Sequence, residues 1–192
     1  MKIGQQIVGV NQRLGNTAVP NMQGTTRMIF DTQTIGTSAT NFTLNYFQGV
    51  SSRTYPFTNL SSNRFEVGES LAIQGITFGF TIASIANLSN PIIPSLLEGT
   101  TNFTNTLNFN LFIGNQRVIK DLDLNYSRSL LGESKKASVI SNTLQFETPI
   151  VIPPQIEFYA TVRITSSAAA AVRRMYLMLY GQGTLLNTKS TF

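Results

Sequence analysis

The chain has 192 residues, 42% hydrophobic and 10% aromatic but only 12% charged, with a formal net charge of +5. Globular chains average about 25% charged residues, so this one stays in solution on Asn, Thr, Ser and Gln, or covers its surface with partners. His, Cys and Trp are absent, which excludes Ser-His-Asp and Cys-His nucleophilic centres, the usual zinc sites and any disulfide.

At 21.1 kDa the chain fits one domain with a core large enough to stand without staples. Its first residues, Met1 to Gln6, lack the apolar stretch of a secretory signal. No run approaches the roughly 18 apolar residues of a membrane helix. The sequence therefore predicts a soluble chain made in the cytoplasm. Its charge is uneven: through Arg64 the basic residues are Lys2, Arg13, Arg27, Arg53 and Arg64, against a single acid, Asp31. That asymmetry is too mild for a polybasic nucleic-acid tail.

Residues 1–26 are rich in Gln, Asn and Gly and keep no helical or strand period. They read as an extended N-terminal arm, ordered on a neighbouring subunit or frayed, ahead of a β domain over 27–192. The β pattern begins with Arg27–Gln33. Phe42, Leu44 and Tyr46 then alternate on one face, and Arg64–Val67 reads as a short strand ended by Gly68. Leu71–Ile82 is long and strongly β, with Gly75 and Gly79 marking bulges or close backbone approach.

A Pro-punctuated connection follows, with one helical turn expected between Ser95 and Gly99. Leu107, Phe109, Leu111 and Ile113 alternate, Gly114-Asn115 signals a hairpin, and Arg117–Leu124 returns. Residues 128–138 read as a polar loop. Thr143–Glu147 is the next strand, and Pro149, Pro153 and Pro154 turn the chain. Ile156, Phe158, Ala160, Val162 and Ile164 form the cleanest period-2 run, with Glu157, Tyr159, Thr161 and Arg163 opposite. After a small-residue connection over 166–171, Arg173–Leu185 closes the domain with Met175, Leu177 and Leu179 in phase. About eight strands and no long amphipathic helix predict an all-β, antiparallel two-sheet sandwich or barrel.

The segment TPIVIPPQIEFYATV, from Thr148 to Val162, resembles the capsid jelly-roll proteins of bacterial viruses. There, an apolar-Pro-Pro corner passes the chain between sheets and feeds a long alternating strand. The prolines suit that corner because they cannot donate ladder bonds. The following Ala run and the closing strand Arg173–Leu185 are similar to the final pair of strands in that fold. The resemblance implies a jelly-roll topology and a structural subunit of an icosahedral bacteriophage virion: shell, vertex or auxiliary component. It implies as partners copies of itself and other capsid proteins, and a genome or internal membrane facing one side. No catalysis, cofactor or small-molecule substrate is expected. Lys2, Arg13 and Arg27 are the candidates for a mild inner-face attraction to nucleic acid, weakening with salt.

Two rival chemistries remain open. Asp121 and Asp123 lie two apart on a strand and project from one face. They are the candidate metal ligands, for Ca²⁺, or half of a glycosidase pair needing a second carboxyl about 5–9.5 Å away, with Glu66, Glu69, Glu147 and Glu157 as possible partners. The bland reading makes them a solvated edge opposite Leu122 and Leu124. Jelly rolls also serve lectins, so a carbohydrate- or receptor-binding module is the alternative function. Tyr159 with Arg163, and Tyr176 with Arg173 and Arg174, could stack and pair on single-stranded nucleic acid, or simply form an outer face or subunit interface. The Asn-Xaa-Ser/Thr triplets at Asn41, Asn59, Asn87, Asn102 and Asn125 read as by-products of composition rather than glycan sites.

Overall fold

A computed structural model describes residues 22–35, 41–80, 106–124, 143–165 and 173–186. Eight strands carry them: β1 Met22–Ile35, β2 Asn41–Tyr46, β3 Ser70–Phe80, β4 Thr106–Ile113, β5 Gln116–Asp123, β6 Thr143–Ile152, β7 Phe158–Thr165 and β8 Arg173–Leu186. They form two antiparallel four-stranded sheets, ordered β1-β8-β3-β6 and β2-β7-β4-β5.

The pairing is nested. β4 pairs with β5, β3 with β6, β2 with β7 and β1 with β8. The chain is thus one long hairpin folded double and rolled into a sandwich, which is jelly-roll topology. Its tip is Gly114-Asn115, between the paired Ile113 and Gln116. Gly114 has φ 57° at the position a type II′ turn keeps for Gly.

Alternation explains the layers. Along β7 the burial runs buried, half-buried, buried, half-buried from Phe158, because Phe158, Ala160, Val162 and Ile164 face the opposite sheet. The core unites these with Leu44, Tyr46, Phe78, Leu107, Phe109, Leu111, Leu177 and Leu179. At one end Phe158 lies between two rings, 5.7 Å from Phe47 and 5.1 Å from Phe65.

Three sequence expectations need correction. Residues 22–26, assigned to the arm, belong to β1, which stays paired to β8 from Met22 to Ile35. The remainder of the arm, 1–21, lies outside the described residues, as do the helical turn at 95–99, the loop at 128–138 and the connection at 166–171. Arg64–Val67 is not a strand. It is a docked loop in which Phe65 fills the core and its carbonyl accepts from Gln155 N–H at 2.9 Å.

Pro149 does not end β6. The register between β3 and β6 slips between Ile73 and Gly75, which pair with Ile150 and Gln145, so residues 146–149 bulge from an edge strand. A missing N–H costs little there. The turn between sheets comes at Pro153-Pro154, after which Gln155 takes φ 59° and β7 begins in the other sheet.

Candidate functional site

The 47–69 connection between β2 and β3 caps one end of the sandwich and carries a network of polar contacts. Its anchor is Asp31. The strand's alternation puts this residue on the core side of β1, in phase with Ile29, and it is fully buried. Its carboxylate accepts from Phe47 N–H at 2.7 Å, Arg53 Nη2 at 2.8 Å, Gln33 Nε2 at 3.2 Å and Thr32 N–H at 3.0 Å. Burial raises its pKa above the ordinary 3.8, outweighing first the Phe47 amide and then the Arg53 charge, which lower it. Buried Tyr46 donates to the Met175 carbonyl at 3.2 Å, and burial lifts its pKa well above 10.0.

A second clamp closes the free edge of β1. The Asn59 side chain behaves as a short strand, with Oδ1 accepting from Phe30 N–H at 2.8 Å and Nδ2 donating to the Met28 carbonyl at 2.9 Å. The Thr58 hydroxyl donates to the Phe30 carbonyl at 3.0 Å. The two clamps hold an open groove of about 370 Å³, lined by Gln48, Ser51, Ser61, Ser62 and Asn63 beside Gly49 and Val50. Its walls are amides and hydroxyls without a charge. Ser62 and Asn63 are partly committed, as Ser62 Oγ accepts from Arg64 N–H at 3.2 Å and the Asn63 carbonyl from Phe158 N–H at 3.0 Å.

The two outer sheet faces contrast in chemistry. On β2-β7-β4-β5 one cross-strand row runs Thr43, Arg163, Asn108, Asp123 and the next Asn45, Thr161, Asn110. On β1-β8-β3-β6 the rows run Thr32, Tyr176, Gly79, then Phe30, Met178, Thr77, Thr143, then Met28, Tyr180, Gly75, Gln145. No residue in these three rows ionises at neutral pH.

The sequence candidates fall as follows. Asp121 and Asp123 are both exposed on β5. Asp121 sits in a bulge at φ 50°, with its N–H bonded to Asn110 Oδ1 at 2.9 Å and its carboxylate 3.9 Å from Arg117. Among the described residues no group of three or more Asp or Glu side chains is placed to hold a metal ion. Glu69 pairs with Arg27 at 2.8 Å and Glu157 with Arg64. Of Lys2, Arg13 and Arg27, the candidates for inner-face attraction to nucleic acid, only Arg27 lies within the described residues. Its guanidinium is tied to Glu69 and lies 4.2 Å over the Phe65 ring, so its charge serves the fold. Lys2 and Arg13 lie outside the described residues.

Tyr159 and Arg163 lie four apart on the outward-facing positions of β7, the one half-buried and the other exposed. Tyr159 stacks flat on Phe112, with ring centroids 4.5 Å apart at 8°. Arg174 is buried over Phe57 at 4.6 Å, and Tyr176 lies across Gly79. Of the sequons, Asn59 has its amide nitrogen committed to Met28, while Asn87, Asn102 and Asn125 lie outside the described residues. Sequence reasoning missed Asp31, the Asn59 clamp and the contrast between faces. A lone acid in the core phase of β1 was the available signal for the first.

No helix among the described residues is long and apolar enough to cross a membrane. Compared with family descriptions, curated proteins and solved structures, the chain matches none. Geometry alone therefore defines its class: the described residues form an all-β jelly-roll sandwich of eight strands.

Proposed function

We propose that the chain is a structural subunit of a bacteriophage virion, assembling with copies of itself into an icosahedral shell or one of its components, and that it performs no catalysis. The observation that carries this reading is the nested strand order, β1-β8-β3-β6 against β2-β7-β4-β5. Jelly rolls of this kind recur in capsids, and the Pro153-Pro154 corner between the sheets fits the same family pattern. Sparse charge supports it, since the surface of a chain with only 12% charged residues is easier to cover with neighbours than to keep bare. The test is sedimentation and electron microscopy of the purified full chain with increasing concentration and salt. Discrete oligomers or closed particles are expected, and a 21.1 kDa monomer under every condition overturns the reading.

The groove lined by Gln48, Ser51, Ser61, Ser62 and Asn63 favours a second reading, a module that binds neutral glycans on a receptor. Its volume falls within the range of ligand pockets, about 300–1,000 Å³, and its amides and hydroxyls match sugar hydroxyls. Selective glycan-array binding lost in Gln48→Ala and Asn63→Ala supports it, and an array without binding removes it.

A further inference from the structure

We propose that the outer face of the β1-β8-β3-β6 sheet is a contact between two copies of this chain, packed face to face about a two-fold axis. This deepens the structural-subunit reading and rests on it. Five observations converge on the face. Its three central rows hold no charge, so two chains of net charge +5 can meet there without opposing like charges. The other outer face carries Arg163 and Asp123. Met28 is 52% exposed at the rim of this neutral surface, with Met178 two residues from its register partner Tyr180 on β8.

The surface is also low and flat. A Cβ on Gly75 would overlap the Tyr180 side chain, and one on Gly79 the Tyr176 ring, so both rings lie down across the sheet. Flat, twisted sheets stack at about 10 Å. Two of its hydroxyls are already paired, since Thr77 and Thr143 hydrogen-bond each other at 3.0 Å, and burial strands neither. Finally, the Asn59 amide occupies the central edge of β1, which leaves the face rather than that edge for a neighbour. A second copy fits better than a lipid surface, because interfacial membrane binding calls for an exposed basic border, and the cation of the adjoining row, Arg174, is buried over Phe57.

Four strands about 4.8 Å apart and three rows about 7 Å apart give roughly 400 Å² per partner. That is about half of a standard interface, near 800 Å² a side. The pair is therefore weak alone and gains by repetition in an assembly.

The test is sedimentation equilibrium of the full chain over a range of concentrations, for wild type, Met178→Lys, Met28→Glu and the opposite-face control Thr161→Lys. Circular dichroism melts check that each variant folds. The wild type should move from monomer toward dimer with little dependence on salt. Either face charge should weaken that step at least roughly tenfold, while Thr161→Lys leaves it unchanged. Wild-type association that persists in folded Met178→Lys and Met28→Glu overturns this contact and leaves the structural-subunit reading standing. A wild type that stays monomeric at every concentration overturns this contact, and one that stays monomeric at every salt concentration as well overturns the structural-subunit reading too. Flotation of the wild type, but not of Met178→Lys, with neutral phospholipid vesicles assigns the face to lipid and overturns the pairing.

Discussion

The Asp31 carboxylate accepts a 2.7 Å hydrogen bond from the amide of Phe47, a residue held at φ 63° with its ring in the core. One bond thus ties β1 of one sheet to the end of β2 in the other. A left-handed backbone at a bulky residue costs on the order of 1–3 kcal/mol and persists only where its surroundings hold it. Asp31→Ala strands the Phe47 amide and leaves Arg53 only its Gln48 carbonyl partner, and should lower stability by about 2–3 kcal/mol. Asp31→Asn keeps an acceptor and relieves the burial of charge, so its loss should stay within about 1.5 kcal/mol. Urea denaturation of the two variants checks the order.

The same residue sets a pH dependence. Burial raises the Asp31 pKa above 3.8, so the folded chain holds this proton more tightly than the unfolded chain. The stability linked to Asp31 is then complete below 3.8 and is lost as pH rises through the folded value. Wild type should lose stability relative to Asp31→Asn on crossing that window upward. Denaturant midpoints for both proteins at a series of pH values measure it, and a difference that widens in favour of wild type with rising pH contradicts it.

Glycines on β8 and β3 should respond differently to a methyl group. A Cβ on Gly181 would overlap the Ala72 carbonyl oxygen, which is backbone of the neighbouring strand and cannot move alone. Gly181→Ala should therefore cost several kcal/mol, at least the ~1–3 kcal/mol typical of overpacking. At Gly79 the obstacle is the Tyr176 ring, a side chain free to swing. Gly79→Ala should be milder, and Tyr176→Ala should absorb most of its effect in a double-mutant cycle.

Asn59 should matter more than an exposed loop residue usually does. Asn59→Ala removes both hydrogen bonds to the Met28 and Phe30 backbone, at a cost of about 1–3 kcal/mol. Faster amide hydrogen exchange at Phe30 is the expected local readout. Unchanged exchange there would show that the edge is held without Asn59.

Legibility in the sequence followed local pattern. β2, β4, β5 and β7 stood out because alternation is written in neighbouring residues, and Gly114-Asn115 marked its own turn. β6 was cut short because Pro149 usually ends a strand, and only the sheet order shows that it lies on an edge. Phe65 looked like part of a strand because one buried ring resembles the start of an alternating run. Asp31 was invisible as an anchor because its partners Phe47 and Arg53 are remote in sequence. The neutral outer rows became visible only once register joined them to Met178 and Tyr180.

The most direct measurement is methyl NMR with a soluble paramagnetic agent on the full chain, dilute and then concentrated. Met175 is buried within the core and serves as the shielded reference in both states. The account predicts that the Met28 and Met178 methyls become shielded on concentration while the Thr43 and Thr161 methyls of the opposite face stay accessible. Protection at Thr43 and Thr161, with Met28 and Met178 still bleached, would contradict it.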